Sequence, residues 1–418
     1  GKLAALTVSD GLIAFEGKGG DFTAVPVLDI LSRRVTLDAK VNAQTARLVA
    51  GRSRFDYETG TVHALKTDGS KTPEFAIDSS ALGGMYAGQI SMLVTEAGAG
   101  VRVNGTMAAN AGDMTLTADG RLVLNGSMAA SGTVAIQAGA VQNAGTLHAG
   151  EDVRLTSAAD ITNTGEVAAE HGLNVTASTV TNAGTMVAAG QAGAVFGATG
   201  NINNTGKVGA NKGALALNAT SIANTGVLRA QTTLTATAQS IVNRQGQMTS
   251  GEGDILLSAA SMLDNTLGQI AAEQGNVTLF TQTLSNESGI IQAAANNTLQ
   301  AVLYTSDKNS VLTAGQSLKA HVETTLENAG QIGAGQSISI LTKTFSNTQT
   351  GKVYAQNNSV FVQVQDDLSN AGVIATLAPS ANIILSGATI ANDAGQILSS
   401  GHLALAAQGI SNKAGRLQ

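Results

Sequence analysis

The chain has 418 residues and a formal net charge of −6, with 43% hydrophobic, 12% charged and 3% aromatic residues. The lack of Cys excludes disulfides and thiol metal sites. The thin, mixed charge excludes the basic surface that nucleic-acid binding needs, and no run of about eighteen apolar residues exists to form a membrane-spanning helix.

The first part of the chain, residues 1–95, predicts irregular β coils with inserted loops. Apolar and polar residues alternate within residues 28–50, which indicates short strands. Bend-forming Gly and Pro residues within 52–75 predict an excursion from the coils. Residues 96–142 predict transition coils that come into register, with tight turns at Asn104-Gly105 and Asn125-Gly126.

Residues 143–418 carry a repeated Asn-x-Gly turn, in places lengthened by one or two residues. Successive asparagines lie 19 to 23 residues apart, except for one interval of 42 between Asn286 and Asn328. A fixed period in the twenties is typical of a solenoid. Three short alternating segments fit into each period, so the sequence predicts an all-β fold, a parallel β-helix with about 20 residues per coil.

The turn residues predict a ladder at one corner of the coil. Each Asn is expected to stack amide on amide along the axis, as side chains do in cross-β structures. Glycine is expected to supply a positive φ at the corner, so Gly206→Val is predicted to cost a few kcal/mol. The ladder residues are Asn143, Gly145, Asn163, Gly165, Asn182, Gly184, Asn204, Gly206, Asn224, Gly226, Asn328, Gly330, Asn370 and Gly372.

Apolar residues bracket every turn, two positions before the Asn and two after the Gly. Ile161 and Val167 bracket the turn at Asn163, for example. One coil departs from the pattern near residue 308. There the spacing predicts that Lys308 replaces the ladder Asn, Ser310 the Gly and Ser306 the apolar flank, which gives a bulged corner.

Three stretches of the early chain resemble a known superfamily. They are residues 49–57 (VAGRSRFDY), 77–90 (IDSSALGGMYAGQI) and 96–101 (EAGAGV). With the repeats that follow, they resemble the exoproteins of bacterial two-partner secretion. These include filamentous haemagglutinin-type adhesins and the toxin-bearing stick proteins of contact-dependent growth inhibition.

The resemblance implies a right-handed parallel β-helix with haemagglutinin repeats over residues 143–418. It implies export through an outer-membrane two-partner secretion transporter to the surface of a Gram-negative bacterium. It also implies a receptor on a target bacterium or host cell, bound through regions outside this fragment. Neither the Asn-Pro-Asn-Gly motif of the secretion domain nor a toxin module occurs in the sequence, so we expect a stalk fragment that is not the main export signal.

The chemistry of the side chains leaves three functions to weigh. The first is a structural stalk; the second is an adhesin filament for host cells or biofilm, with residues 52–75 or the coil near 308 as contact points. The third is a polysaccharide-active enzyme, because β-helices host such enzymes on paired carboxylates. The close acidic pairs Glu151-Asp152, Glu252-x-Asp254 and Asp366-Asp367 do not recur one period away, and the five His are scattered. We therefore expect a stalk without catalytic residues, cofactor or metal.

Overall fold

The computed structural model describes residues 4–418, and every regular element in that range is a β-strand. Within these residues no helix is long and apolar enough to cross a bilayer. The chain divides into two compact units, Gly1–Lys212 and Gly213–Gln418, which are described separately.

One rung of the first unit shows the local architecture. It consists of the strands Val153–Ser157, Asp160–Asn163 and Glu166–Ala169, which we assign to the first, second and third face of the coil. Each strand pairs in parallel with its equivalent one rung later: Val153 with Leu173, Ile161 with Val180, and Val167 with Met186. The fold is thus a parallel β-solenoid with about 21 residues per turn, which confirms the predicted fold class.

The alternation of the sequence determines which side chains enter the coil. Val153 and Leu155 are buried while Arg154 between them is exposed, because successive side chains of a strand point to opposite sides. Burial of each such aliphatic side chain contributes about 1.5–3 kcal/mol. The core is therefore a column of Val, Ile, Leu, Met and Ala that extends along each unit.

Within residues 4–212, nine third-face strands mark the rungs of the first unit. The first-face strands are Leu28–Ser32, Thr45–Ala50, Gln89–Val94, Met114–Thr117, Val134–Ala138, Val153–Ser157, Gly172–Ala177 and Gly193–Ala198. The second-face strands are Leu12–Phe15, Arg34–Leu37, Phe75–Ser79, Gly100–Val103, Arg121–Leu124, Ala140–Asn143, Asp160–Asn163, Thr179–Asn182 and Asn201–Asn204. The third-face strands are Gly20–Phe22, Lys40–Ala43, Gly84–Ala87, Thr106–Ala109, Ser127–Ala130, Thr146–Ala149, Glu166–Ala169, Thr185–Ala188 and Lys207–Ala210.

The predicted excursion at 52–75 is confirmed. The parallel strands stop at Ala50 and resume at Phe75. Between them Ser53–Asp56 and Val62–Ala64 form an antiparallel sheet with Ala5–Val8. The excursion thus replaces the corner between the first and second faces of a single rung.

In the second unit the first and second faces often share one long strand. The shared strands are Leu234–Val242, Ile255–Asp264, Val277–Ser285, Asn297–Thr305, Leu318–Asn328 and Ile338–Asn347. Separate first-face strands are Leu215–Asn218, Val360–Val364, Ile383–Ser386 and Leu403–Ala406; separate second-face strands are Ser221–Asn224, Asp367–Asn370, Thr389–Ala391 and Gly409–Ser411. The third-face strands are Val227–Ala230, Gln247–Ser250, Gln269–Ala272, Ile290–Ala293, Val311–Ala314, Gln331–Ala334, Lys352–Ala355, Val373–Thr376, Gln396–Leu398 and Arg416–Leu417.

Candidate functional site

The asparagines form a hydrogen-bonded column at the corner between the second and third faces. In the first unit Asn143 Nδ2 donates to Asn163 Oδ1 at 2.7 Å, and the same bond links Asn163 to Asn182 and Asn182 to Asn204 at 2.8 Å. In the second unit the bonds measure 2.6–2.9 Å and join Asn224, Asn243, Asn265 and Asn286, and then Asn328, Asn347, Asn370, Asn392 and Asn412.

Each amide also ties the backbone of two rungs together. Asn163 Nδ2 donates to the carbonyl oxygen of Gly165 in its own turn at 3.2 Å and to that of Thr185 in the next rung at 3.1 Å. Asn224 Nδ2 bonds Gly226 and Gln247 in the same way. Because these asparagines are almost fully buried, the bonds satisfy groups that would otherwise be costly to bury.

The turn glycines stand where the preceding rung leaves no room for a side chain. A Cβ on Gly145, Gly165, Gly184 or Gly206 would lie 2.0–2.1 Å from the carbonyl oxygen of the glycine one rung earlier. On Gly330 it would lie 2.4 Å from the Ser310 oxygen, and on Gly372 2.2 Å from the Gly351 oxygen. Close approach of backbone to backbone is therefore what demands glycine here.

The expectation of a positive φ at these glycines was wrong. The left-handed backbone lies instead on the residue just before the glycine in longer turns, namely Gln245, Leu267, Ser288, Ala394 and Ala414, with φ between 51° and 61°. The turns with two residues between Asn and Gly contain one such residue each, whereas the short Asn-x-Gly turns and the longer Asn347–Gly351 turn contain none. A turn can require glycine for a positive φ or because a side chain would overlap the preceding rung. The sequence pattern cannot distinguish the two, since the overlap depends on the backbone of the neighbouring rung.

The structure corrects the alignment of the coil near residue 308. Tyr304 pairs with Leu284 and Leu326, so Tyr304 rather than Ser306 holds the apolar flank position. Ser306 therefore holds the position of the ladder Asn, and Lys308 lies exposed within the turn. Ser310 does replace the glycine, as predicted. The prediction missed two additional residues in this turn, which the Asn347–Gly351 turn also contains.

An aspartate holds this altered turn together. Asp307 accepts hydrogen bonds from the Ser288 backbone N at 2.7 Å, from the Ser288 hydroxyl at 2.6 Å and from the Ser310 hydroxyl at 2.7 Å. Burial raises the pKa of Asp307, but these bonds outweigh it and lower that pKa to about 2. Tyr304 is fully buried, which raises the pKa of its hydroxyl to about 12.

A second polar column, at the corner before the first face, was not predicted from the sequence. Asp254 Oδ1 accepts from the backbone N of Asn276 at 2.8 Å, and Asn276 Oδ1 accepts from that of Asn296 at 3.0 Å. Asn382 Oδ1 accepts in the same way from His402 at 2.8 Å. The residue type varies between Asp, Asn, Ser and His, so the only sequence signal is a polar residue just before many of the first-face strands.

A buried ion pair lies at the corner of the coil from which the excursion departs. Arg33 Nη2 and Nε contact the two carboxylate oxygens of Glu96 at 2.8 and 3.1 Å, and Nη2 also donates to Ser70 and Lys71 of the excursion. The two side chains are only 10% and 11% exposed. The hydrogen bond with Glu96 raises the pKa of Arg33. The pair joins the rung before the excursion to the rung after it. The bonds from Arg33 to Ser70 and Lys71 hold the excursion against the coil.

The acidic pairs considered for catalysis are each engaged in local bonds. Asp152 accepts from Arg154 and from His171 Nδ1, each at 2.7 Å, beside a cavity of about 190 Å³. Asp254 belongs to the second polar column, and Asp367 accepts from the Thr389 hydroxyl at 2.6 Å. Among residues 4–418 no three potential metal-ligand side chains form a cluster.

Comparison with known families agrees with a secreted β-solenoid. Residues 1–124 match the TPS secretion domain, and residues 292–372 and 368–418 match the haemagglutinin repeat. The resemblance to two-partner secretion exoproteins that the sequence carries is thereby confirmed. The secretion-domain match extends past residue 95, where the sequence prediction ends that region, and the three-part division of the chain remains a prediction.

Three curated relatives of the chain share the name CdiA. The chain is 32% identical over 413 residues to the 16S rRNA endonuclease CdiA of Enterobacter cloacae, a match that covers 96% of this chain and 11% of the relative. It is 44% identical over 126 residues to the tRNA nuclease CdiA-2 of Burkholderia pseudomallei, covering 30% of this chain and 4% of the relative. It is 34% identical over 149 residues to the Toxin CdiA of Yersinia pestis, covering 35% and 4%.

These matches span 4% to 11% of the length of those relatives. No solved structure matches the chain.

Proposed function

We propose that this chain is part of the stalk of a large secreted bacterial surface protein. The stalk carries a receptor-binding region and a toxin away from the cell in contact-dependent growth inhibition. The observation that supports this role most directly is the haemagglutinin-repeat match over 292–418, where rung after rung pairs in register. The relatives named as toxins and nucleases supply the toxin part of the proposal.

The physical properties of the coil suit a load-bearing spacer. Successive rungs are about 4.8 Å apart and are joined by backbone hydrogen bonds on three faces. Stability in such stacks is roughly the sum of rung and interface contributions, so length is gained without a new core. The buried amides add a continuous column of hydrogen bonds along each series of rungs.

The proposal includes export through an outer-membrane transporter partner and display on a Gram-negative cell surface. The secretion-domain match at residues 1–124 supports the export step and counts against the expectation from the sequence that this fragment is not the main export signal. Co-expression with and without the cognate transporter tests it. We expect the chain outside the cell only when the transporter is present, and removal of residues 1–124 should keep it inside. Release without the transporter would contradict the proposal.

An in-register deletion within the full-length parent protein tests the stalk role. Removing residues 144–182 joins Asn143 to Ala183-Gly184 and so preserves one Asn-x-Gly turn. The matched control removes 144–173, which destroys the register. We expect surface display and growth inhibition to survive the first deletion and to fail with the second. Loss of inhibition with intact display after the first deletion would indicate that these rungs themselves bind or catalyse.

Two assays on the isolated chain separate the stalk from its alternatives. Saturable binding to cells that disappears when residues 52–75 are removed would favour an adhesin. Turnover of a polysaccharide that disappears in the Glu252→Gln/Asp254→Asn variant would favour an enzyme. For a stalk we expect neither.

A further inference from the structure

One rung in the second unit departs from its neighbours at several inward positions. This rung contains Asn297–Thr305 and Val311–Ala314. It has an amide, Asn297, in the column of Val277 and Leu318, and a phenol, Tyr304, in the column of Leu284 and Leu326. Ser306 stands for the ladder Asn and Ser310 for the glycine. The departures all fall on side chains that face the core or the buried corner.

The asparagine column is interrupted on one side of this rung. The buried Tyr304 hydroxyl lies close to the side chains of Asn286, in the preceding rung, and of Ser306. The Ser306 hydroxyl donates to the Glu327 carbonyl oxygen at 3.2 Å and not to Asn328. Asn328 Oδ1 is consequently buried without a hydrogen-bond donor. The gap therefore lies between this rung and the one that follows it.

The core of the same rung contains a second unsatisfied acceptor. Asn297 is 1% exposed, and its Nδ2 donates to the Thr313 carbonyl oxygen at 3.3 Å. Its Oδ1 has no donor. A buried polar atom without a partner carries its full desolvation cost, so this position weakens the rung relative to the aliphatic neighbours above and below.

Backbone pairing ends earlier at this interface than at the one that follows it. Leu318–Asn328 pairs with the following strand through Asn328 and Asn347, at the end of the corner. Its pairing with Asn297–Thr305 stops at Tyr304 and Leu326. The amide-to-amide bond of the column is thus missing between these two rungs, where the Ser306 hydroxyl instead accepts from the Ala329 backbone N at 3.1 Å.

We infer that the interface between residues 297–314 and residues 318–334 is the place where the second unit opens first. Local opening in proteins begins where buried contacts are least satisfied, and in a stack each rung contacts only its neighbours. Opening there separates the rungs before residue 315 from those after it while each set keeps its own asparagine column. This conformational property concerns the isolated chain and does not depend on the proposed stalk function.

Hydrogen exchange of the full chain tests the inference, with peptides covering 297–328 compared with peptides covering 255–285 and 338–370. We expect exchange in 297–328 to be faster by about tenfold, the factor that about 1.4 kcal/mol of lost stabilisation gives. The variant Tyr304→Leu/Ser306→Asn/Ser310→Gly restores the repeat pattern and should bring exchange in 297–328 down to that of the other two regions.

A matched variant creates the same gap elsewhere. Asn265→Ser leaves Asn286 Oδ1 without the donor that now lies at 2.9 Å, just as Asn328 Oδ1 is left in the natural chain. We expect fast exchange to appear additionally around residues 265–290. Equal exchange of all three regions in the natural chain would overturn the inference, as would a repaired variant that exchanges as fast as the natural one.

Discussion

The corner between the second and third faces has two different constructions in the first unit. Before residue 143 the buried column runs through Leu37, Ser79, Val103 and Leu124, whereas from Asn143 onward it consists of asparagines. Both stretches coil with the same three faces and the same parallel pairing. The amide column is therefore not what makes the chain wind into a solenoid.

The glycine column, in contrast, is common to both stretches. A Cβ on Gly105 would lie 1.8 Å from the Gly83 oxygen, and a Cβ on Gly126 2.0 Å from the Gly105 oxygen, as at Gly145 and beyond. The coil as a whole therefore requires a residue without a side chain at this turn. The asparagines add a hydrogen bond between identical side chains of successive rungs. These bonds specify the register of the rungs, because a shift of one rung by one residue would break all of its bonds to the neighbouring asparagines.

The largest effect is expected from filling the glycine column in either stretch. Gly206→Val and Gly126→Val should each lower the free energy of unfolding by about 4 kcal/mol or more, since the side chain would overlap the backbone of the preceding rung. Denaturant unfolding measures this. Gly197→Ala is the control, because its Cβ meets nothing within 4 Å, and it should change stability by about 0.5 kcal/mol or less.

The buried ion pair of the irregular region should come next. Arg33→Ala leaves Glu96 charged and nearly buried, so we expect a loss of about 3 kcal/mol and faster proteolysis within residues 65–73. Arg229→Ala, which removes an exposed pair with Glu273, should cost about 0–1 kcal/mol. Equal effects of the two substitutions would show that the pair does not hold the excursion.

A reciprocal exchange sharpens the difference between the two corners. Asn163→Leu removes the acceptor of Asn143 Nδ2 and the donor to the buried Asn182 Oδ1, and should cost about 2 kcal/mol. Leu124→Asn places a donor next to Asn143 Oδ1, which now has none, and should change stability by less than about 1 kcal/mol. Thermal unfolding of both variants compares them. If both substitutions cost the same, the asparagine column contributes nothing beyond its volume.

The sequence is sufficient to predict the coil, because the period of the turns and the apolar residues that bracket them both follow from stacking. It is insufficient where turn length varies. The number of residues between the ladder position and the glycine differs between Asn163, Asn243 and Asn347, so spacing alone could not show that Tyr304 and Ser306 occupy the flank and ladder positions. The Arg33–Glu96 pair joins residues 63 positions apart and leaves no periodic signal.

The central claim, that consecutive rungs lie directly over one another in register, is tested most directly by disulfide cross-linking. The chain contains no Cys, and Thr162 pairs with Thr181 on the second face. Paired α-carbons about 4.8 Å apart fall within disulfide range, whereas a displacement by two residues takes them beyond about 7 Å. The double variant Thr162→Cys/Thr181→Cys should therefore oxidise readily, and Thr162→Cys/Thr179→Cys should not. Cross-linking of the second pair in preference to the first would contradict the account.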